Sequence, residues 1–336
     1  MKKIECFSVI LFLALPLFLV GAPGDYEEIQ KKAGEGKATH AELLEAQKKC
    51  YTEYIGFFRK KYMACSKAQE ARNVFLNRFA KEDKALAPSI VKFNGGLVRN
   101  ALDKKIFADV YKKFAANKDF MALDRTLWEE KTKAAYSSIC SATSATEDDP
   151  EKAYNGIMRS LTEALEKSLI KEMTKKYTFS KEKGSPLYQR TMEEISLYRK
   201  AADPRKMASA RRNISLLSKE LFRQALEHSP ELKKVMEKAD KLNRERIKRE
   251  LYLELKNKDA AYARYAGTFE LKLPVKGKTM QEIVMADGEY KKLVAELTEL
   301  NKKRKKLSSA FMKETSVPAI AELDKVIKEV RKAGKR

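Results

Sequence analysis

The sequence predicts an all-α protein, about ten helices in antiparallel hairpins forming a coiled-coil-like bundle. Three observations predict it. Gly (13) and Pro (9) are few for a chain of 336 residues, which disfavours a turn-rich β fold. Apolar residues recur at spacings of three and four along most of the chain. Segment after segment opens on a helix-start signature, a Ser, Thr or Asp followed by Pro or by Glu at the third position.

The chain starts with a leader. Lys2 and Lys3 precede the largely apolar run Phe7–Val20, and Val20-Gly21-Ala22 supplies small residues for cleavage, so residues 1–22 read as a signal peptide. The run is too short for a membrane span, and no transmembrane segment is expected after cleavage. Residues 23–38, with Gly24, Gly34 and Gly36, read as a loose polar segment.

Thr39-His40-Ala41-Glu42 is a capping box. The helix behind it carries Leu44, Gln47, Tyr51, Tyr54, Phe58, Tyr62 and Cys65 on one stripe, which reads as its core face. The helical pattern continues through Val74, Phe75 and Phe79 toward Leu86, where Pro88 stops it. Asn94-Gly95-Gly96 is a turn, and helices follow through Val98–Phe114 and from Asp119 to Cys140. Trp128, the single tryptophan, sits at helical spacing and reads as core.

The small, polar and acidic stretch Ser141–Pro150 divides an N-terminal subdomain (23–145) from a C-terminal one (146–336). Helices are expected over Tyr154–Met173, Pro186–Ala201 and Pro204–His228. The last of these has Met207, Ala210, Ile214, Leu217 and Leu221 as a coiled-coil-like seam.

Ser229-Pro230-Glu231 opens a long basic helix expected to reach about Tyr265. Phe269, Leu271 and Leu273 alternate with Glu270 and Lys272, which predicts a short β excursion near 268–277. Asp287-Gly288-Glu289 opens another long helix, Pro318 ends it, and a last helix through Ile320–Val330 leads to a basic tail.

Two of these helices resemble each other. A shift of 58 positions lays Glu231–Lys248 over Glu289–Lys306 with seven of 18 residues identical, among them Asn243/Asn301 and Arg246/Arg304. The segments 229–255 and 287–313 therefore read as a weak internal repeat of helical hairpins.

Charge carries the main functional signal. The formal charge is +23; a signal peptide takes away Lys2, Lys3 and Glu5, leaving +22 on the mature chain. In an exported protein this charge disfavours nucleic acid and points to an anionic envelope polymer, a lipid surface or a client protein. The candidate binding residues are two basic clusters: Arg244, Arg246, Lys248 and Arg249, then Lys302, Lys303, Arg304, Lys305 and Lys306. Five consecutive cations go all the way round a helix, so they cannot share one face.

Signatures of chemistry are sparse. His40 and His228 are far apart with no neighbour at metal-ligand spacing, and no CxxC, HExxH, phosphate-cradling glycine loop or GxSxG occurs. No metal or cofactor is expected. Cys50, Cys65 and Cys140 are disulfide candidates in an oxidising compartment, with an odd one over. The function expected is a periplasmic or secreted, non-enzymatic binding or scaffold protein that engages an anionic or partly unfolded partner through basic helix faces. The alternatives are a cell-wall hydrolase with a cleft carboxylate, and a self-associating spacer.

Overall fold

A computed structural model describes residues 25–95, 101–144, 149–227 and 229–314. The signal-peptide segment, the 145–148 boundary, His228, and the last helix with its basic tail lie outside them. The fold is all-α. Among the described residues there are thirteen helices: α1 (Glu27–Gly34), α2 (His40–Lys61), α3 (Met63–Glu82), α4 (Ala87–Asn94), α5 (Ala101–Phe114), α6 (Lys118–Thr143), α7 (Pro150–Thr174), α8 (Pro186–Lys200), α9 (Pro204–Glu227), α10 (Pro230–Lys256), α11 (Lys258–Gly267), α12 (Met280–Ala286) and α13 (Gly288–Glu314).

The count exceeds ten because long periodic stretches break. Tyr62 leaves helical geometry (φ −112°, ψ 31°) and separates α2 from α3. Pro88 starts α4 instead of ending the preceding helix, which already stops at Asp83. Proline lacks an N–H, so it suits a first turn as well as it ends a last one. Asn257 (φ −121°, ψ 56°) splits the helix expected to run to Tyr265. The polar segment before Thr39, expected to be loose, holds α1, and Tyr26 before it is buried.

The core lies in patches between helix pairs. Tyr26, Leu43, Cys50, Tyr154, Leu161 and Leu165 join α1, α2 and α7. An aromatic cluster of Phe75, Phe93, Phe107, Tyr111, Phe114 and Phe120 fills the space between α3, α4, α5 and α6. Trp128 packs on Tyr262, with Leu253, Met280 and Val284 around it. The α8–α9 hairpin closes on Ile195 and Ile214, and Leu187 and Leu217 tie it to Ile170 of α7. Packing crosses residues 145–148 in both directions: α2 lies on α7, and α6 on α10.

Two expectations are corrected. The stripe on α2 is only partly the core face: Gln47, Tyr54 and Tyr62 lie inward as expected, but Leu44, Tyr51 and Phe58 give way to their neighbours Leu43, Cys50 and Phe57. Leu43, Gln47, Cys50, Tyr54 and Phe57 face α7, whereas Leu44, Tyr51 and Phe58 are exposed. The residues at 268–277 form no strand, and the described residues contain no sheet, only an isolated bridge between Ser180 and Gly184. The alternation is real but has no partner strand. Phe269 stacks on Phe107 and Tyr111, Leu271 packs on the same cluster, and Leu273 and Val275 reach the Trp128 cluster.

Candidate functional site

Helices α10 and α13 form an antiparallel pair. Near the start of α10, Glu231 meets Lys303, 2.8 Å apart. Toward its end, Arg246 reaches the Tyr290 hydroxyl (3.2 Å) and Arg249 grips Asp287 through two bonds of 3.0 and 2.7 Å. Ala239 and Leu297 are then related both by the packing and by the 58-residue shift. Between the helices runs a groove of about 360 Å³, and the shift maps Ala239, Asp240, Asn243 and Arg246 onto Leu297, Thr298, Asn301 and Arg304, all of which line it. The two helices thus present matched residues across a local twofold relation. The match fails where it concerns charge: Arg246 is tied to Tyr290 and Glu250, whereas the positions equivalent to these two by the shift are Leu232 and Ser308, and Arg304 stays exposed.

Neither basic cluster acts as a unit. Arg246 pairs with Glu250 (3.1 Å), Lys248 with Glu245 (3.8 Å), and Arg249 with Asp287 and Glu289. The Asp287 bonds and charge raise the pKa of Arg249, and Arg249 in turn holds the Asp287 carboxyl below its ordinary value. Lys302 meets Glu299 and Lys303 meets Glu231 on the exposed surface. Arg244, Arg304, Lys305 and Lys306 make no ion pair among the described residues.

Charge is therefore polarised along the hairpin. Residues 245–256 and 287–296 hold six cations and six carboxylates. Residues 230–244 and 297–308 hold ten cations and four carboxylates, a net of +6 at the distal end. α6 supports the balanced part, where Tyr136 packs on Tyr252. At the distal end α13 packs mainly on α10. Ser229, expected as the cap of α10, makes no side-chain cap, although Pro230 opens the helix as expected.

Buried carboxylates elsewhere are bound by the protein itself. Asp124 accepts from Arg72, Tyr111 and Tyr262. Glu151 accepts from Lys61, Tyr62 and Ser138. Glu194 is held by Arg190 and Asn213. Glu254 has its pKa raised, chiefly by burial, but its carboxylate is bound by Arg264. No glutamate lines the α10–α13 groove or the concavity where α10 gives way to α11.

The three disulfide candidates are free thiols. α2 runs straight past Gly56, so the fold-back that would bring Cys50 to Cys65 does not occur, and Cys50 is sealed in the α2–α7 core. Among the described residues no group of three His, Cys, Asp or Glu could hold a metal ion. None of the described helices is long and apolar enough to cross a membrane.

Sequence reasoning missed a second basic concavity. It gathers Arg125, Lys256, Lys258, Lys276 and Lys278 from α6, α10, α11 and the segment before α12. These residues form no run in the sequence; the Lys276-Gly277-Lys278 turn was the one local signal. No protein family, curated protein or solved structure matches the chain.

Proposed function

We propose that this is an exported, non-enzymatic binding protein whose α10–α13 hairpin engages an anionic partner, an envelope polymer, a lipid surface or a client protein. The observation that carries the reading is the polarity of the hairpin. Its supported end neutralises itself, while its distal end keeps a net +6 with Arg244, Arg304, Lys305 and Lys306 unpaired. A basic side chain close to an anionic surface contributes on the order of 1 kcal/mol, and the attraction is screened within about 8 Å at physiological salt. The export part rests on Lys2, Lys3 and the apolar run that follows them.

The test is binding of the mature protein to anionic vesicles, wall polymer and an unfolded outer-membrane protein over a salt series. The expected result is binding to one of them that weakens steeply with salt and is cut by R304A/K305A/K306A. No binding to any at low salt removes the reading.

Self-association has one observation in its favour. Leu44, Tyr51 and Phe58 form an exposed apolar line at seven-residue spacing on α2. Sedimentation over a concentration series tests it, with Tyr51→Glu expected to break any oligomer that uses this face.

A further inference from the structure

The second basic concavity lies at the opposite, supported end of the hairpin, where Asn257 turns α10 into α11. Its volume is about 510 Å³, within the range of small-ligand sites. α10 is 27 residues long, so about 40 Å separates this cleft from the distal end of the hairpin.

Five cations line the cleft, and two of them are spent. Arg125 binds Asp259 and Glu129, and Lys258 binds Glu129 at 2.8 Å. Those contacts are structural: they fasten the first turn of α11 to α6. Lys256, Lys276 and Lys278 are exposed and make no ion pair among the described residues. Gly277, at φ +91°, sits at a bend, and both flanking lysines line one cleft. The acids nearby are occupied. Asp259 and Glu129 hold Arg125 and Lys258, and Glu282 accepts from the Thr279 N–H and hydroxyl in the capping box of α12, with the Lys278 charge close by but forming no ion pair with it. The first turn of α11, where Asn257 provides no side-chain cap, adds a field of the same sign.

We infer that this cleft binds a small, multiply charged oxyanion, a phosphate or diphosphate group, through Lys256, Lys276 and Lys278. The free donors are ammonium groups, compact point charges with three donors each, approaching from the end of α10 and from the 276–278 turn. That arrangement suits a tetrahedral, multiply charged group. A flat carboxylate is better matched by the planar guanidinium fork, and the one guanidinium here is already bound. The phosphate can be free in solution or carried on a lipid headgroup. The inference does not depend on the hairpin reading.

The experiment is calorimetric titration of the mature protein with inorganic pyrophosphate at low ionic strength. The expected result is one saturable site, weakened about tenfold for each lysine removed in K256A and K276A/K278A, the size of one charge-assisted hydrogen bond. These side chains are exposed and form no ion pair among the described residues, so the variants keep their stability, which circular dichroism checks. R304A/K305A/K306A, the variant that tests the hairpin, leaves pyrophosphate binding unchanged. Absence of saturable binding, or equal affinity in K276A/K278A, overturns the inference and leaves the hairpin reading intact. Vesicles bearing phosphate-monoester headgroups separate the two sources. Displacement by pyrophosphate from the R304A/K305A/K306A protein assigns the cleft to headgroups; pyrophosphate binding without displacement assigns it to free phosphate.

Discussion

The guanidinium of Arg72 lies 2.6 Å from the carboxylate of Asp124, with neither side chain more than 2% exposed. The second carboxylate oxygen accepts from the Tyr111 hydroxyl at 2.6 Å and the Tyr262 hydroxyl at 3.1 Å. Arg72 also sits over the Phe93 ring, 4.5 Å from its centroid. Four helices, α3, α5, α6 and α11, thus converge on one carboxylate, and α4 joins through the contact of Phe93 with Arg72. Burial, reinforced by the Asp124 charge, keeps the Tyr111 and Tyr262 hydroxyls protonated far above the ordinary tyrosine range.

Asp124→Ala should therefore be severe. It strands a buried cation and leaves two buried hydroxyls without this acceptor, at a cost of about 3–5 kcal/mol. The double change Arg72→Met/Asp124→Leu should recover much of that loss, because no buried charge remains. Urea unfolding midpoints check both, and a cost under about 1 kcal/mol for Asp124→Ala would refute the account.

Glu151 gives stability an acid limb. Burial pushes its carboxyl up, but bonds from Ser138, Tyr62 and Lys61 outweigh that, and the net shift is downward from 4.5. A carboxyl lowered in the folded state stabilises fully above its unfolded value and loses that contribution as pH falls through the folded one. Glu151→Gln should cost about 1–3 kcal/mol at pH 7. The gap between the two proteins should narrow from pH 5 to pH 3 in denaturant midpoints; a constant gap would show that the charge is not the cause.

Cys50 should resist alkylation in the folded protein. It is 0% exposed, and burial, with the nearby Glu53 charge, pushes its thiol up to about 11. At pH 8 almost none is thiolate, the reactive form. A short iodoacetamide pulse read by mass spectrometry should modify Cys50 only in denaturant. Labelling of native Cys50 as fast as half-buried Cys140 would contradict the packing.

Glu270 is the one non-glycine residue with positive φ among the described residues, at +66°. This backbone costs an ordinary residue about 1 kcal/mol. Its exposed side chain, 3.5 Å from Lys112, returns little. Glu270→Gly should stabilise by about 0.5–1 kcal/mol and Glu270→Ala should not, as thermal unfolding of the two variants will decide.

Much of the helical architecture is legible because its signals are local. Thr39 and Glu42 close their capping box, Asp149 and Ser185 cap α7 and α8, and Asn94-Gly95 ends α4. Each of these acts within about four residues. The Trp128 core position follows from spacing in the same way. The phase of α2 does not: Leu43, Cys50 and Phe57 compete with Leu44, Tyr51 and Phe58, both sets are apolar, and only α7, about a hundred residues downstream, selects one.

By itself the sequence determined the all-α class, most helix starts and the excess of positive charge, because these depend on near neighbours and composition. Tertiary structure decided which charges remain available. Arg249 faces Asp287 only because α10 and α13 run antiparallel, and Arg304 stays open because Leu232 and Ser308 stand where its counterpart has Tyr290 and Glu250. Lys256 and Lys278 line one cleft because the chain bends at Asn257 and again at Gly277. A cation's worth to a partner is set by whether a carboxylate from another helix reaches it first, and that distance is absent from the order of residues along the chain.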